Sequence, residues 1–393
     1  MGDPIWFQQR EEAVGTSEVY LQHSVRGNGR GRAAIASPAD EPAGIPARPL
    51  SVAHVGQSMV RAGVEQWLKA LVRFLDPRWA KVEKCVAVCS DLVDPAVVNE
   101  LPMPVVIGQA EAVRQAAGEC DVLLCWGPAE LGEWLRDCRP KLSVFVAHGE
   151  GMWTRRILNG CAPVIDHVVA VSERVRRRVC VGLPTTVIPN GVDTTHIAQT
   201  RSRDEVRRSL GFASDDFVLG YVGRYSAEKR AHAVLEAAAL LPETYKALLV
   251  GWGPLEENLR RLAATWLPGR YAFAAAGAYL GDYYHAMDAL CVVSETEGFS
   301  LAALEGMFCG VPLIVTPVGS VPEIIQDRVN GLVVAGTAGS IGDAAEMLRR
   351  HPAWAAGLAA EGRAYAQQHG HARAMARRYE ILLDALWREK TSS

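Results

Sequence analysis

The stretch ETEGFSLAALEGMFCGVPLIVTPVGSVPEIIQDRVNG, residues 295–331, decides the fold. The apolar run 289–293 before it predicts a buried strand, and 301–308 predicts a helix closed by Cys309 and Gly310. Residues 311–315 predict the next strand. In a unit of strand, loop, helix and strand, the loop lies at the carboxyl end of the sheet, where the free N–H groups of the helix start attract an anion such as phosphate. Gly298 permits close approach of backbone, Ser300 suits the N-cap, Glu297 points from the loop, and Glu305 lies a turn or more inside the helix. Two carboxylates so placed can hold separate pairs of hydroxyl groups. From these residues alone, a solvated loop charge at Glu297 and an ordinary helix-surface residue at Glu305 is the commoner reading, and other residues must decide.

The same stretch resembles the retaining glycosyltransferases of family four, whose GT-B fold carries a Glu-x7-Glu signature matched here by Glu297 and Glu305. Gly310, Pro312, Gly319, Pro322, Glu323, Asn330 and Gly331 fall at that family's G-x-P, G-x-x-P-E and N-G positions. The segment LGYVGRYSAEKR, 219–230, is similar to the family's strand, G-R loop and lysine, which implies that Arg224 and Lys229 clasp the phosphates of a donor. A planar fork of N–H groups and a point charge suit that task. Residues 248–250 followed by Gly251, Trp252, Gly253 and Pro254 resemble the family's G-x-G-P turn, with Trp252 where a small or polar residue is commoner. The P-N-G-V-D match at 189–193 and the V-x-x-S match at 169–173 read as mainly architectural.

The amino-terminal half is more divergent. After the strand 52–55 comes a loop through Gly56 and Gly63 to Glu65 that resembles the Gly-rich loop beside the donor phosphate, with Ala62 in place of the first of two adjacent glycines. His148 follows the strand 142–147, where similar enzymes place a histidine facing the donor sugar; a lone histidine is otherwise a local hydrogen-bonding residue.

The resemblance implies transfer of a hexose-type sugar from a nucleoside diphosphate, a UDP-sugar ahead of a GDP- or ADP-sugar, to an acceptor hydroxyl with retained anomeric configuration. It implies that Glu305 holds the ribose hydroxyls and Glu297 those of the donor sugar, while the backbone N–H groups of Phe299, Ser300 and Leu301 meet phosphate or sugar. The leaving phosphate then helps to take the acceptor's proton, without a covalent enzyme nucleophile. No Asp-x-Asp pair is present, so cations rather than a divalent metal, and no further cofactor, are expected. Two other readings share the cleft: a GT-B sugar-nucleotide epimerase or phosphorylase, and a non-catalytic sugar-nucleotide-binding protein.

A chain of 393 residues exceeds what one hydrophobic core usually supports, so two domains are expected. Apolar runs at 84–88, 121–125, 142–147, 166–171 and 185–188 alternate with helical patterns, and a second set falls at 217–222, 247–250, 289–293 and 312–315. Both halves read as Rossmann-like α/β: an acceptor domain over 49–198, a donor domain over 199–371, and a last helix over 372–393 crossing back to the first. Residues 1–48, rich in Gly, Arg, Ala and Pro, are expected to be a flexible extension.

A net charge of −3 argues against a general nucleic-acid binder. Arg61, Lys69, Arg73, Arg78 and Lys81 accompany Trp67, Leu68, Leu71, Val72, Phe74 and Trp79 in one expected helix, and Arg174, Arg176, Arg177 and Arg178 form a second basic cluster. These could meet an anionic bilayer, or could be ordinary solvated faces. No apolar run approaches a bilayer span, and MGDPIWFQQREE lacks the apolar centre of a signal peptide, so a cytoplasmic protein, either free or peripheral at the inner membrane face, is expected. The nine cysteines include no C-x-x-C pair and read as reduced thiols.

Overall fold

The computed structural model describes residues 46, 48–60, 62–180, 182–275, 277 and 280–392, all within one compact unit that begins at residue 36. The expected extension over 1–48 lies almost wholly outside the described residues, as does Arg61.

The first half alternates strands and helices: β1 (Leu50–Gly56), α1 (Gly63–Phe74), β2 (Ala80–Ala87), α2 (Pro95–Asn99), β3 (Val105–Ile107) and α3 (Ala110–Glu119). It continues with β4 (Val122–Cys125), α4 (Leu131–Trp134), β5 (Leu142–Ala147), α5 (Met152–Cys161), β6 (His167–Ala170), α6 (Glu173–Val179) and β7 (Thr185–Val187). The second half contains α7 (Arg203–Ser209), β8 (Phe217–Arg224), α8 (Ala231–Ala239), β9 (Tyr245–Trp252), α9 (Glu256–Trp266), β10 (Tyr271–Ala274) and α10 (Leu280–Ala286). Then follow β11 (Ala289–Val292), α11 (Leu301–Cys309), β12 (Leu313–Val315), α12 (Val321–Ile324) and β13 (Leu332–Val333). Three helices close the chain: α13 (Ala338–Arg350), α14 (Pro352–His369) and α15 (Ala372–Ser392).

The strands form two sheets in the orders β3-β2-β1-β4-β5-β6-β7 and β10-β9-β8-β11-β12-β13. Every pairing is parallel, which the continuous apolar runs anticipate because helices cover both faces of such a sheet. Each order reverses direction once, between β1 and β4 and between β8 and β11. In open α/β sheets that reversal opens a crevice at the carboxyl ends of the strands.

Three strands have no counterpart in the sequence reading: β3 and β10, which edge their sheets, and two-residue β13. The basic helix is also shorter than expected. α1 ends at Phe74, a turn holds residues 77–79, and Lys81 belongs to β2. Pro77 explains the break, since the residue before a proline is driven out of helical conformation. The core of the first sheet includes Ala372, Met375, Ala376, Tyr379 and Leu383, so α15 packs on the amino-terminal half. Backbone bridging between Val192 and His371 brings the two interdomain crossings side by side.

Candidate functional site

The loops after β8 and β11, which flank the reversal point of the second sheet, bring the expected cation and carboxylate together. Lys229 Nζ lies 2.7 Å from Glu297 Oε1, and Ser294 Oγ donates to the same oxygen at 3.0 Å. Arg224 ends β8 with its guanidinium 5.9 Å from the ring centroid of Trp252, at the end of the neighbouring strand β9. That contact gives Trp252 a place in the site: an aromatic face that orients a cation. Gly251, next to it, has a φ of 151°.

Ser300 caps α11, accepting from Ala303 N, as its residue type predicts. Its own backbone N–H donates to Ser320 Oγ at 3.2 Å, while Thr316 Oγ1 donates to the carbonyl of Ser294 at 2.7 Å. Gly319, at φ +55°, lies against the Cβ and backbone of Glu297, where a side chain would collide. The segment 316–320 therefore fixes the backbone of the loop that carries Glu297. Phe299 is half-buried and packs against apolar side chains of both halves.

Facing this loop is the end of β5. A Cβ on Gly298 would strike the carbonyl of His148, so only glycine allows the two loops this approach. His148 stands edge-on to Trp67 of α1, ring centroids 4.7 Å apart, and Trp67 in turn meets Tyr379 of α15 at 5.8 Å and His54 of β1 at 5.8 Å. Burial pushes the His148 pKa down to about 3, and the nearby His54 adds to the shift; burial alone takes His54 to about 3. His148 is thus a neutral imidazole whose buried Nε2 has no hydrogen-bond partner. Gly63 opens α1, and a Cβ there would come to 3.8 Å from Leu301 Cδ1 at the start of α11. Glu65 is buried, accepting from Ser58 Oγ and Val60 N, with its pKa raised by burial.

Glu305 is placed apart from the Lys229 and Glu297 pair. Its oxygens accept from His196 Nε2 at 3.0 Å and Tyr284 OH at 2.6 Å, and it borders a cavity of about 400 Å³ that also touches α1, Asp193 and Leu301. His196, Tyr284, Ser294 and Ser320 were not singled out in the sequence, because each acts through a contact distant along the chain or through a common residue type.

A further link spans the two halves. Both oxygens of Glu323 accept from the N–H groups of Glu173 and Arg174, at 3.0 and 2.9 Å, so a carboxylate of the second half caps α6 of the first. The basic clusters are neutralised locally: Lys69 with Glu100, Arg73 with Asp193, Arg78 with Asp76, Lys81 with Glu83, Arg174 and Arg178 with Glu150, and Arg176 and Arg177 with Glu173. All nine cysteines are free, and Cys85, Cys125 and Cys291 lie buried in β2, β4 and β11. Among the described residues, no helix is long and apolar enough to cross a membrane.

The family model for glycosyltransferase family 4 matches residues 59–196, and that for group 1 glycosyl transferases matches residues 202–351. The D-inositol 3-phosphate glycosyltransferase of Actinosynnema mirum is 37% identical over 165 residues, 38% of this chain and 39% of that protein. The lipopolysaccharide core biosynthesis mannosyltransferase LpsB of Rhizobium meliloti is 30% identical over 236 residues, 56% of this chain and 66% of that protein. The matches therefore span less than two thirds of either relative. Among solved structures, Anabaena HepE in complex with UDP-glucose superposes with a TM-score of 0.76 at 20% identity, over 86% of this chain and all of that one. Sucrose-phosphate synthase from Thermosynechococcus elongatus gives 0.71 at 22% identity, again over 86% of this chain and all of that one. With two parallel-sheet halves and a family match on each, the chain belongs to the GT-B glycosyltransferases of the family-four type.

Proposed function

We propose that the chain moves a hexose-type sugar from a nucleoside diphosphate, a UDP-sugar before a GDP- or ADP-sugar, to an acceptor hydroxyl with retained configuration. The observation that carries this reading is the Lys229 and Glu297 pair, 2.7 Å apart at the reversal point of the second sheet, in the loop whose Gly298 lies against the His148 carbonyl. A substrate that offers hydroxyls to Glu297 and negative oxygens to Lys229 satisfies both partners as it separates them. A sugar diphosphate has both kinds of group. Support comes also from the solved HepE complex with UDP-glucose and from the two relatives described as glycosyltransferases.

In this mechanism Arg224 and Lys229 offset the charge that builds on the departing diphosphate, the main electrostatic task of the transition state. The N–H groups of Phe299 and Leu301, at the start of α11, add oriented donors, that of Ser300 being held by Ser320 Oγ, and the start of α1 at Gly63 borders the same region. Glu297 holds the donor sugar and Glu305 the ribose. Neutral His148 can accept or donate a hydrogen bond at the sugar without adding charge, and the leaving phosphate takes the acceptor's proton. The two cations do the work a divalent metal would otherwise share, so turnover persists in a chelator; loss of turnover there contradicts that part of the reading. Peripheral contact with an anionic bilayer through α1 is disfavoured by the carboxylates that pair its cations, and liposome co-sedimentation with and without anionic lipid tests it.

Thermal unfolding with UDP-, GDP- and ADP-sugars tests donor binding. A donor at about 100 times its dissociation constant adds about 2.7 kcal/mol to stability. A shift with one base is expected; no shift with any of the three contradicts the proposal. Product analysis by NMR then separates a new glycoside of retained configuration from an isomer or a sugar phosphate.

A further inference from the structure

We propose that His196 is a positioning residue for Glu305, holding that carboxylate toward the donor and setting by its own charge how tightly the nucleotide sugar binds. This rests on the reading that Glu305 serves the ribose.

The 3-10 turn Thr194–Ile197 leads out of the interdomain crossing and is tied on both sides. Arg73 of α1 donates to Asp193 at 2.6 Å and to Thr195 Oγ1 at 2.7 Å, which fixes the turn to the first half. His196 Nε2, 3.0 Å from Glu305 Oε1, fixes it to the second. The other oxygen of Glu305 accepts from Tyr284 OH, itself fully buried. Each carboxylate oxygen thus has one protein donor and keeps lone-pair capacity for a ligand hydroxyl. With 8% of its side-chain surface exposed, Glu305 cannot trade these donors for water, whereas His196, at 33%, faces the cavity.

The groups around the imidazole are Glu305 of α11, Tyr284 of α10, Asp193 of the same turn, and Lys69 and Arg73 of α1. Lys69 is matched by Glu100 and Arg73 by Asp193, while burial and Glu305 hold the tyrosine's pKa well above its ordinary value. Burial disfavours the charged imidazole, but the hydrogen bond and charge of Glu305, with Asp193 behind them, outweigh it, and the His196 pKa is raised. Below that pKa the His196 and Glu305 pair is neutral overall. Above it the pair carries a net negative charge in the cleft that receives the anionic sugar nucleotide, so affinity falls as pH rises.

The test is calorimetric binding of UDP-glucose, GDP-mannose and ADP-glucose from about pH 6 to about pH 8, a window in which neither the diphosphate nor the bases of these sugar nucleotides titrate. Whichever sugar nucleotide binds is expected to weaken about tenfold across the range, equivalent to one pKa unit of linkage, with proton uptake on binding. In His196→Gln, which keeps a donor but cannot titrate, the slope is expected to vanish and donor KM to change more than kcat. Tyr284→Phe is expected to weaken binding equally at every pH. Proton uptake needs no variant, so wild-type affinity that is flat with pH overturns the assignment, as does a slope that survives in His196→Gln. Absence of binding by any of the three at every pH overturns instead the functional reading beneath it.

Discussion

The two sheet edges that face each other are built on opposite electrostatic plans. On the second sheet the groups are charged and held by partners: Glu297 by Lys229 and Ser294, and Glu305 by His196 and Tyr284. On the first they are sequestered and uncharged: His54 and His148, with pKa values pushed down to about 3, pack edge-on or tilted around Trp67. On the proposed function, the contrast assigns recognition of charge to one half and makes the other a low-dielectric wall in which that charge acts more strongly.

The sharpest way to break this division is to remove charge from the second sheet. Lys229→Ala is expected to lower kcat by about a hundredfold, on the scale of losing one oxyanion donor, and Glu297→Gln is expected to couple with it rather than add. Steady-state rates of the two single variants and the double variant check this. Next comes the contact between the halves. Gly298→Ala places a methyl group against the His148 carbonyl, and about a tenfold loss of kcat/KM with little change in Tm is expected, because the reacting groups are displaced rather than unfolded.

The wall predicts a pH effect on stability with a fixed sign. The unfolded chain binds protons at His54 and His148 as pH falls below about 6.5, whereas the folded chain resists until about 3. Stability from neutral burial is therefore complete above about pH 6.5 and is lost as pH falls toward 3. Urea midpoints across that range are expected to fall, less steeply in His148→Gln. The smallest expected effect belongs to the cross-half cap: Glu323→Ala removes the acceptor for two N–H groups of α6 at a cost of about 1 kcal/mol, read by denaturation.

The second half was the more legible in sequence. Glu297, Gly298, Ser300, Arg224 and Lys229 lie within a few residues of strands marked by unbroken apolar runs, so period and motif placed them together. Glu305 was legible as a helix residue, but not its partners, since His196 stands 109 positions away. Trp67 was legible as an apolar residue of the basic helix, but not as the fully buried centre of the wall, since only folding brings β1, β5 and α15 around it. β3 and β13 escaped because three and two residues are too few to show a period. The cap of α6 by Glu323 crosses 150 positions and leaves no local signal.

A crystal structure with a bound nucleotide sugar tests the central claim most directly. The diphosphate oxygens are expected within hydrogen-bond distance of Lys229 Nζ and the Arg224 guanidinium, with sugar hydroxyls on Glu297. A nucleotide sugar seated elsewhere, with the Lys229 and Glu297 pair undisturbed, would contradict it.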